Sequence, residues 1–154
     1  MKYFILIFYF LLSIVFTSNS YSNDKVISKL QSGGKIVFIR HAIAPGNGDP
    51  ENFNILDCST QRNLSEEGIK QSKKIGIFFI KNNIKIKKVL SSEWCRCKDT
   101  AQYAFKNFQT FKGLNSFYDP RFEENKTKQI NDLKSLIQQW DSKGNLILVT
   151  HYVV

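Results

Sequence analysis

The chain has 154 residues, of which 42 % are hydrophobic, enough to build one globular domain around a core. A formal charge of +9 favours anionic partners, a class that holds phosphate esters, nucleic acid and acidic lipid headgroups. Three cysteines and two histidines are poor material for a zinc site, so neither a metal nor another cofactor is expected.

At the amino end Lys2 precedes an apolar run from Tyr3 to Phe16, and Thr17 to Ser22 supply small polar residues after it. A basic start, an apolar middle and small residues before a cut read as a signal peptide over residues 1–22. The run is 14 residues long, short of the about 20 that a spanning helix needs. No cysteine lies near the cut to carry a lipid, so no stable membrane anchor is expected after cleavage. Residues 23–154 are then a single domain in the periplasm or outside the cell. Lysines are scattered through it, and no recognisable nucleic-acid module accompanies them, so a solvated face is expected and not a nucleic-acid partner.

Lys35 to Ile39 is a short β-branched run behind Gly33-Gly34, which predicts a strand buried on both faces. The Gly- and Pro-rich stretch from Ala44 to Pro50 predicts a loop. Ser65 stands as a cap before Glu66 and Glu67, with lysines further on, the order a helix dipole prefers, so residues 65–81 are predicted helical. Ile84 to Leu90 reads as a second strand, and Ala101, Ala104, Phe105 and Phe108 fall at helical spacing after it. Phe111 to Phe117 reads as a third, weaker strand. Ile130, Leu133, Ile137 and Trp140 share one helix face, ended by Gly144 ahead of the apolar strand Asn145 to Val149. This alternation predicts a three-layer α/β/α sandwich with a mostly parallel sheet.

Cys58 can pair with Cys95 or Cys97 in an oxidising compartment, leaving one thiol over; the alternative is three small buried residues. Cys95-Arg96-Cys97 is one residue short of a metal-binding CxxC.

In a parallel sheet the ligand lies beyond the carboxyl ends of the strands. Both histidines stand there: Arg40-His41 ends the first clear strand, and Thr150-His151 ends the last. Arg96 follows a third strand end, where a helix start offers backbone N–H groups to an anion. Two arginines and two histidines so placed describe a phosphate cradle, since the guanidinium fork matches phosphate oxygens.

These residues resemble the histidine phosphatase superfamily, the phosphoglycerate-mutase-like fold. Arg40-His41-Ala42 is similar to its Arg-His-Gly signature, with alanine for the usual glycine. Asn47 falls where mutase-type members carry a phosphate-contacting asparagine. Arg62-Asn63-Leu64-Ser65-Glu66-Glu67-Gly68 resembles the family's helix opening, Ser91-Ser92 through Arg96 to Thr100-Ala101 its second arginine segment, and Val149-Thr150-His151 the strand that delivers the second histidine.

The resemblance implies a metal-independent phosphomonoester hydrolase with His41 as nucleophile and Arg40, Arg96 and His151 holding the phosphoryl oxygens. It also implies a carboxylic acid that protonates the leaving group, for which Asp119, Glu123 and Glu124 are the candidates. The substrate is then a small-molecule or macromolecular phosphate ester. The family usually carries a further loop, strand and helix beyond the second histidine, whereas this sequence stops at Val154. A phospho-ligand-binding pseudophosphatase is the alternative function. A mutase is a more remote one, because export would separate it from glycolytic substrates.

Overall fold

The computed structural model describes residues 18–140 and 143–152; the bulk of the expected signal peptide, residues 1–17, lies outside the described residues. A helix, α1 (Ser18–Gln31), comes first, then strand β1 (Ile36–Arg40). After a long loop with a single 3-10 turn at Cys58–Thr60 come α2 (Glu66–Lys81), β2 (Ile86–Ser91), α3 (Cys95–Phe105) and the two-residue β3 (Gln109–Thr110). Two 3-10 segments, Lys112–Leu114 and Pro120–Asn125, lead to α4 (Lys126–Gln138) and β4 (Asn145–Thr150).

The four strands form one sheet in the order β1-β4-β2-β3, and every neighbouring pair is parallel. Side chains on successive strand residues point to opposite faces. On β4, Ile147 and Val149 therefore enter a cluster with Phe79 of α2, Ala101 of α3 and Trp94, while Leu146 and Leu148 enter a second with Leu114 and Leu133 of α4. The chain is thus an α/β/α sandwich, with β4 buried along its whole length. Asn145, fully buried at the start of β4, gives its amide to the carbonyls of Leu30 and Lys85 and accepts from the Lys35 N–H, stitching α1, β1 and β2 together.

Helix α2 begins as expected, with Ser65 as cap accepting from the Gly68 N–H at 3.1 Å. Gly68 is required there: a Cβ would stand 2.1 Å from the Ile43 carbonyl, so only glycine lets the first turn of α2 lie against the chain just beyond His41.

Three expectations need correction. β1 is an edge strand and not one buried on both faces; Phe38 is 50 % exposed. Phe111 to Phe117 forms no strand, because pairing to β2 stops at Thr110 and the chain turns through Lys112–Leu114 to bury Leu114. Helix α4 ends at Gln138, well before Gly144. Helix α1 has no strong apolar stripe and went unpredicted; it is held by Leu30 against the core and by Gln31, which donates to the Asn82 carbonyl at 2.7 Å.

Candidate active site

Parallel pairing of β1 with β4 puts Arg40 opposite Thr150. The ladder runs one step further, the His41 N–H donating to the Thr150 carbonyl at 2.9 Å. The residues that follow these strands are therefore neighbours, and the rings of His41 and His151 lie 5.6 Å apart, edge to face. They open on a cavity of about 440 Å³ whose wall includes Arg40, Asn47, Asp49, Arg62, Arg96 and Asp119. The sequence-predicted Arg40, His41, Asn47, Arg96, His151 and Asp119 are thus brought together; Glu123 and Glu124 are exposed on the 3-10 segment and do not line it.

His41 is buried, and its Nδ1 lies 2.8 Å from the Ala42 carbonyl. A carbonyl only accepts, so Nδ1 carries the proton of the neutral ring and Nε2 keeps its lone pair. Burial first, then the charges of Arg96, Arg62 and Arg40, push the His41 pKa down to about 4, against the hydrogen bond to Ala42, which raises it. Thr100 of α3 fixes the next residue by accepting the Ala42 N–H at 3.0 Å.

His151 is held from behind. Its Nε2 is 2.9 Å from Ser92 Oγ and 3.4 Å from Cys97 Sγ, and Ser92 in turn donates to Asn115 Oδ1 at 3.1 Å. With the Cys97 thiol facing the Thr150 carbonyl, both contacts accept from His151, so Nε2 bears the proton of the neutral ring. Burial, then the Arg96 charge, push its pKa down to about 2. Both imidazoles are neutral at ordinary pH.

Arg96 stands in the first turn of α3, buried. The amides that lead into this helix are largely taken by side chains and so offer an anion less than expected. The Glu93 N–H goes to Asn115 Oδ1, the Trp94 N–H to Ser92 Oγ and the Cys95 N–H to Gln61 Oε1, while the Arg96 side chain lines the cavity. Arg62, which the sequence placed only in a helix opening, is a third cation at the cavity. Its Nε donates to the Gly48 carbonyl at 2.9 Å and its Nη1 to the Ala44 carbonyl, pinning the loop after His41. Asp49 lies in the loop predicted over Ala44 to Pro50 and is not singled out by the sequence, yet its carboxylate contacts Arg96 at 2.7 Å inside the cavity. A lone carboxylate following glycine in a loop carries no periodicity that could have flagged it.

Cys58 and Cys95 are joined by a disulfide that ties the long loop to the start of α3. Cys97 is therefore the remaining thiol, buried and pushed up to about 12 by that burial. Asp119 is paired with Arg121 at 2.7 Å, which holds its carboxyl below the usual range. Among the described residues no group of three or more His, Cys, Asp or Glu is placed to hold a metal, and no helix is long and apolar enough to cross a membrane.

The sequence profile of the histidine phosphatase superfamily (branch 1) matches residues 36–151. In the solved structures, the protein assigned as the phosphohistidine phosphatase SixA from Agrobacterium tumefaciens is 18 % identical, with 76 % of this chain and 68 % of that chain covered and a TM-score of 0.52. The protein histidine phosphatase SixA complexed with tungstate is 13 % identical, with 76 % of this chain and 69 % of that one covered and a TM-score of 0.49. At these identities the likeness is one of fold. No curated protein is significantly similar in sequence.

Proposed function

The chain belongs to the histidine phosphatase superfamily, and from that premise we propose that it is a metal-independent phosphomonoester hydrolase working through a phosphohistidine on His41. The observation that carries this reading is the state of His41: neutral, its Nδ1 proton tied to the Ala42 carbonyl, its Nε2 lone pair available beside three arginines. In the first step Nε2 attacks phosphorus, the N–P bond forms and the P–O bond to the alcohol breaks. Water then attacks the phosphohistidine and releases phosphate, restoring the imidazole.

Arg40 and Arg96 hold phosphoryl oxygens, and Asn47 lies at the cavity wall to contact another. His151 is neutral on its own, and an arriving phosphoryl dianion favours a second ring proton, on Nδ1, which then donates to the third oxygen. Asp119 alone of the three candidate acids reaches the cavity, and on this reading the leaving-group proton comes from its minor protonated form, which the pairing with Arg121 keeps scarce at neutral pH. Export through the leader at residues 1–22 agrees with the Cys58–Cys95 disulfide, which persists in an oxidising compartment.

Turnover of para-nitrophenyl phosphate with and without a chelator tests the reading. Hydrolysis that survives the chelator and is lost in His41→Ala is expected. Strict dependence on an added divalent metal would overturn the mechanism. Phosphate binding with no turnover of any ester in a panel would establish the pseudophosphatase instead.

A further inference from the structure

We infer that Asp49 is a positioning residue that grips Arg96 by the end of its guanidinium and so turns the other edge, Nε and Nη2, toward the phosphoryl group. The inference rests on the reading of Arg96 as a phosphoryl ligand.

Both side chains are sequestered, Arg96 being 5 % and Asp49 8 % exposed. Oδ1 of Asp49 accepts from Arg96 Nη1 at 2.7 Å and Oδ2 from Nη2 at 3.1 Å. The same carboxylate accepts the Arg62 backbone N–H at 3.0 Å and the Trp94 indole N–H at 3.0 Å. A buried carboxylate is costly unless its lone pairs are filled, and here four donors fill them.

A guanidinium carries five N–H groups in a rigid plane, so fixing one edge fixes the direction of the others. Asp49 takes the end edge, between Nη1 and Nη2. The second proton of Nη1 is directed at the Arg62 carbonyl, 3.4 Å away. What remains is the side edge: the second proton of Nη2 and the Nε–H. Nε is buried and, among the described residues, has no hydrogen-bond partner. A buried donor left unpaired is costly, and an oxygen that accepts from it removes that cost. Two parallel N–H bonds are the match for two oxygens of one phosphoryl group.

Asp49 also brings the loop after His41 and the residue before α3 to a single point. The arginine is thereby aimed before substrate arrives, at the expense of a negative charge near a dianion. If charge alone mattered, a carboxylate here would only weaken binding. The opposite role, a carboxylate that occupies the phosphate's place and must be displaced, differs in the sign of one measurement.

The test compares Asp49→Ala, Asp49→Asn and Asp49→Glu with the wild-type protein. Three quantities are read: kcat/KM for para-nitrophenyl phosphate, inhibition by orthovanadate, and the Arg96 Nε–H resonance, assigned by its loss in Arg96→Lys, during titration with inorganic phosphate. Asp49→Ala is expected to lower kcat/KM by about 100-fold, the penalty of a misplaced catalytic group, and to weaken vanadate inhibition in parallel. Asp49→Glu should recover part of the loss and Asp49→Asn little, because an amide cannot accept from both Nη atoms. Phosphate should shift the Nε–H resonance in the wild type and not in Asp49→Asn. Where Asp49→Ala does not fold, the order wild type, Glu, Asn carries the same decision. Tighter vanadate or phosphate binding in any charge-removing variant would overturn the inference, as would kcat/KM equal to wild type. Failure of the hydrolase reading shows separately, as a wild-type protein without turnover, while the phosphate titration is independent of turnover.

Discussion

Acidification tests the state of the nucleophile. Unfolded, His41 takes up its proton near the ordinary 6.5; folded, it does so only near about 4. That gap corresponds to about 3 kcal/mol of preference for the neutral ring. Between the two values the unfolded chain binds the extra proton, so acid favours unfolding. The contribution is complete above 6.5 and is lost as the pH falls toward about 4. By about pH 5, roughly 2 kcal/mol of it should be gone. Urea unfolding at a series of pH values, wild type against His41→Gln, isolates this share from that of other groups, and the imidazole 15N shifts report the titration directly. The wild type should lose stability on acidification by about 2 kcal/mol more than the variant, and the His41 ring should stay neutral at pH 5. A His41 ring that titrates near 6.5, with no difference between the two proteins, would refute the argument that burial and the arginines keep the nucleophile unprotonated.

Arg96→Lys keeps the charge but loses the planar fork, and kcat/KM should fall well beyond tenfold, more than about 1.4 kcal/mol; a wild-type rate would place Arg96 outside the reaction. Because Arg121 holds Asp119 ionised, hydrolysis of alkyl phosphates should rise from neutral toward mildly acidic pH while that of aryl phosphates does not, and Asp119→Asn should abolish the difference. Glu123→Gln should leave both unchanged, since that side chain lies away from the cavity; an alkyl-to-aryl ratio unmoved by Asp119→Asn would put the donor elsewhere. The Cys58–Cys95 bond spans a sequence separation of 37, so Cys58→Ser with Cys95→Ser should cost about 4 kcal/mol in guanidinium unfolding, and reductant should produce a similar loss in the wild type. Equal stability with and without reductant would mean the bond is not formed.

The parts of the fold that were legible in the sequence are those whose signals are local. Ser65 announces α2 because a cap and two acids satisfy the first amides, and β4 announces itself because a strand buried on both faces is apolar throughout. β1 has the same composition yet lies at an edge, since strand order is a long-range property that composition does not encode. The two histidines and Arg96 could be found because each follows a strand, and strand ends converge in a parallel sheet. Arg62 and Asp49 could not, because both act from the long loop: Arg62 reaches back to Gly48 and Ala44, and Asp49 reaches Arg96, 47 residues away along the chain. Among the three cysteines, spacing left Cys95 and Cys97 equivalent; the first turn of α3 separates them, turning Cys95 to Cys58 and Cys97 toward His151.

The central claim, that His41 carries the phosphoryl group, is open to direct observation. A phosphoramidate on a ring nitrogen survives alkali and is destroyed by acid, the reverse of a phosphoserine. The protein is mixed with a 32P-labelled ester, quenched in mild alkali during turnover, and digested to locate the label. The account predicts label on His41, lost on acid treatment, with His41→Ala abolishing both label and activity and His151→Ala leaving slow labelling behind. Label on His151, or a His41→Ala variant that turns over near the wild-type rate, would contradict it.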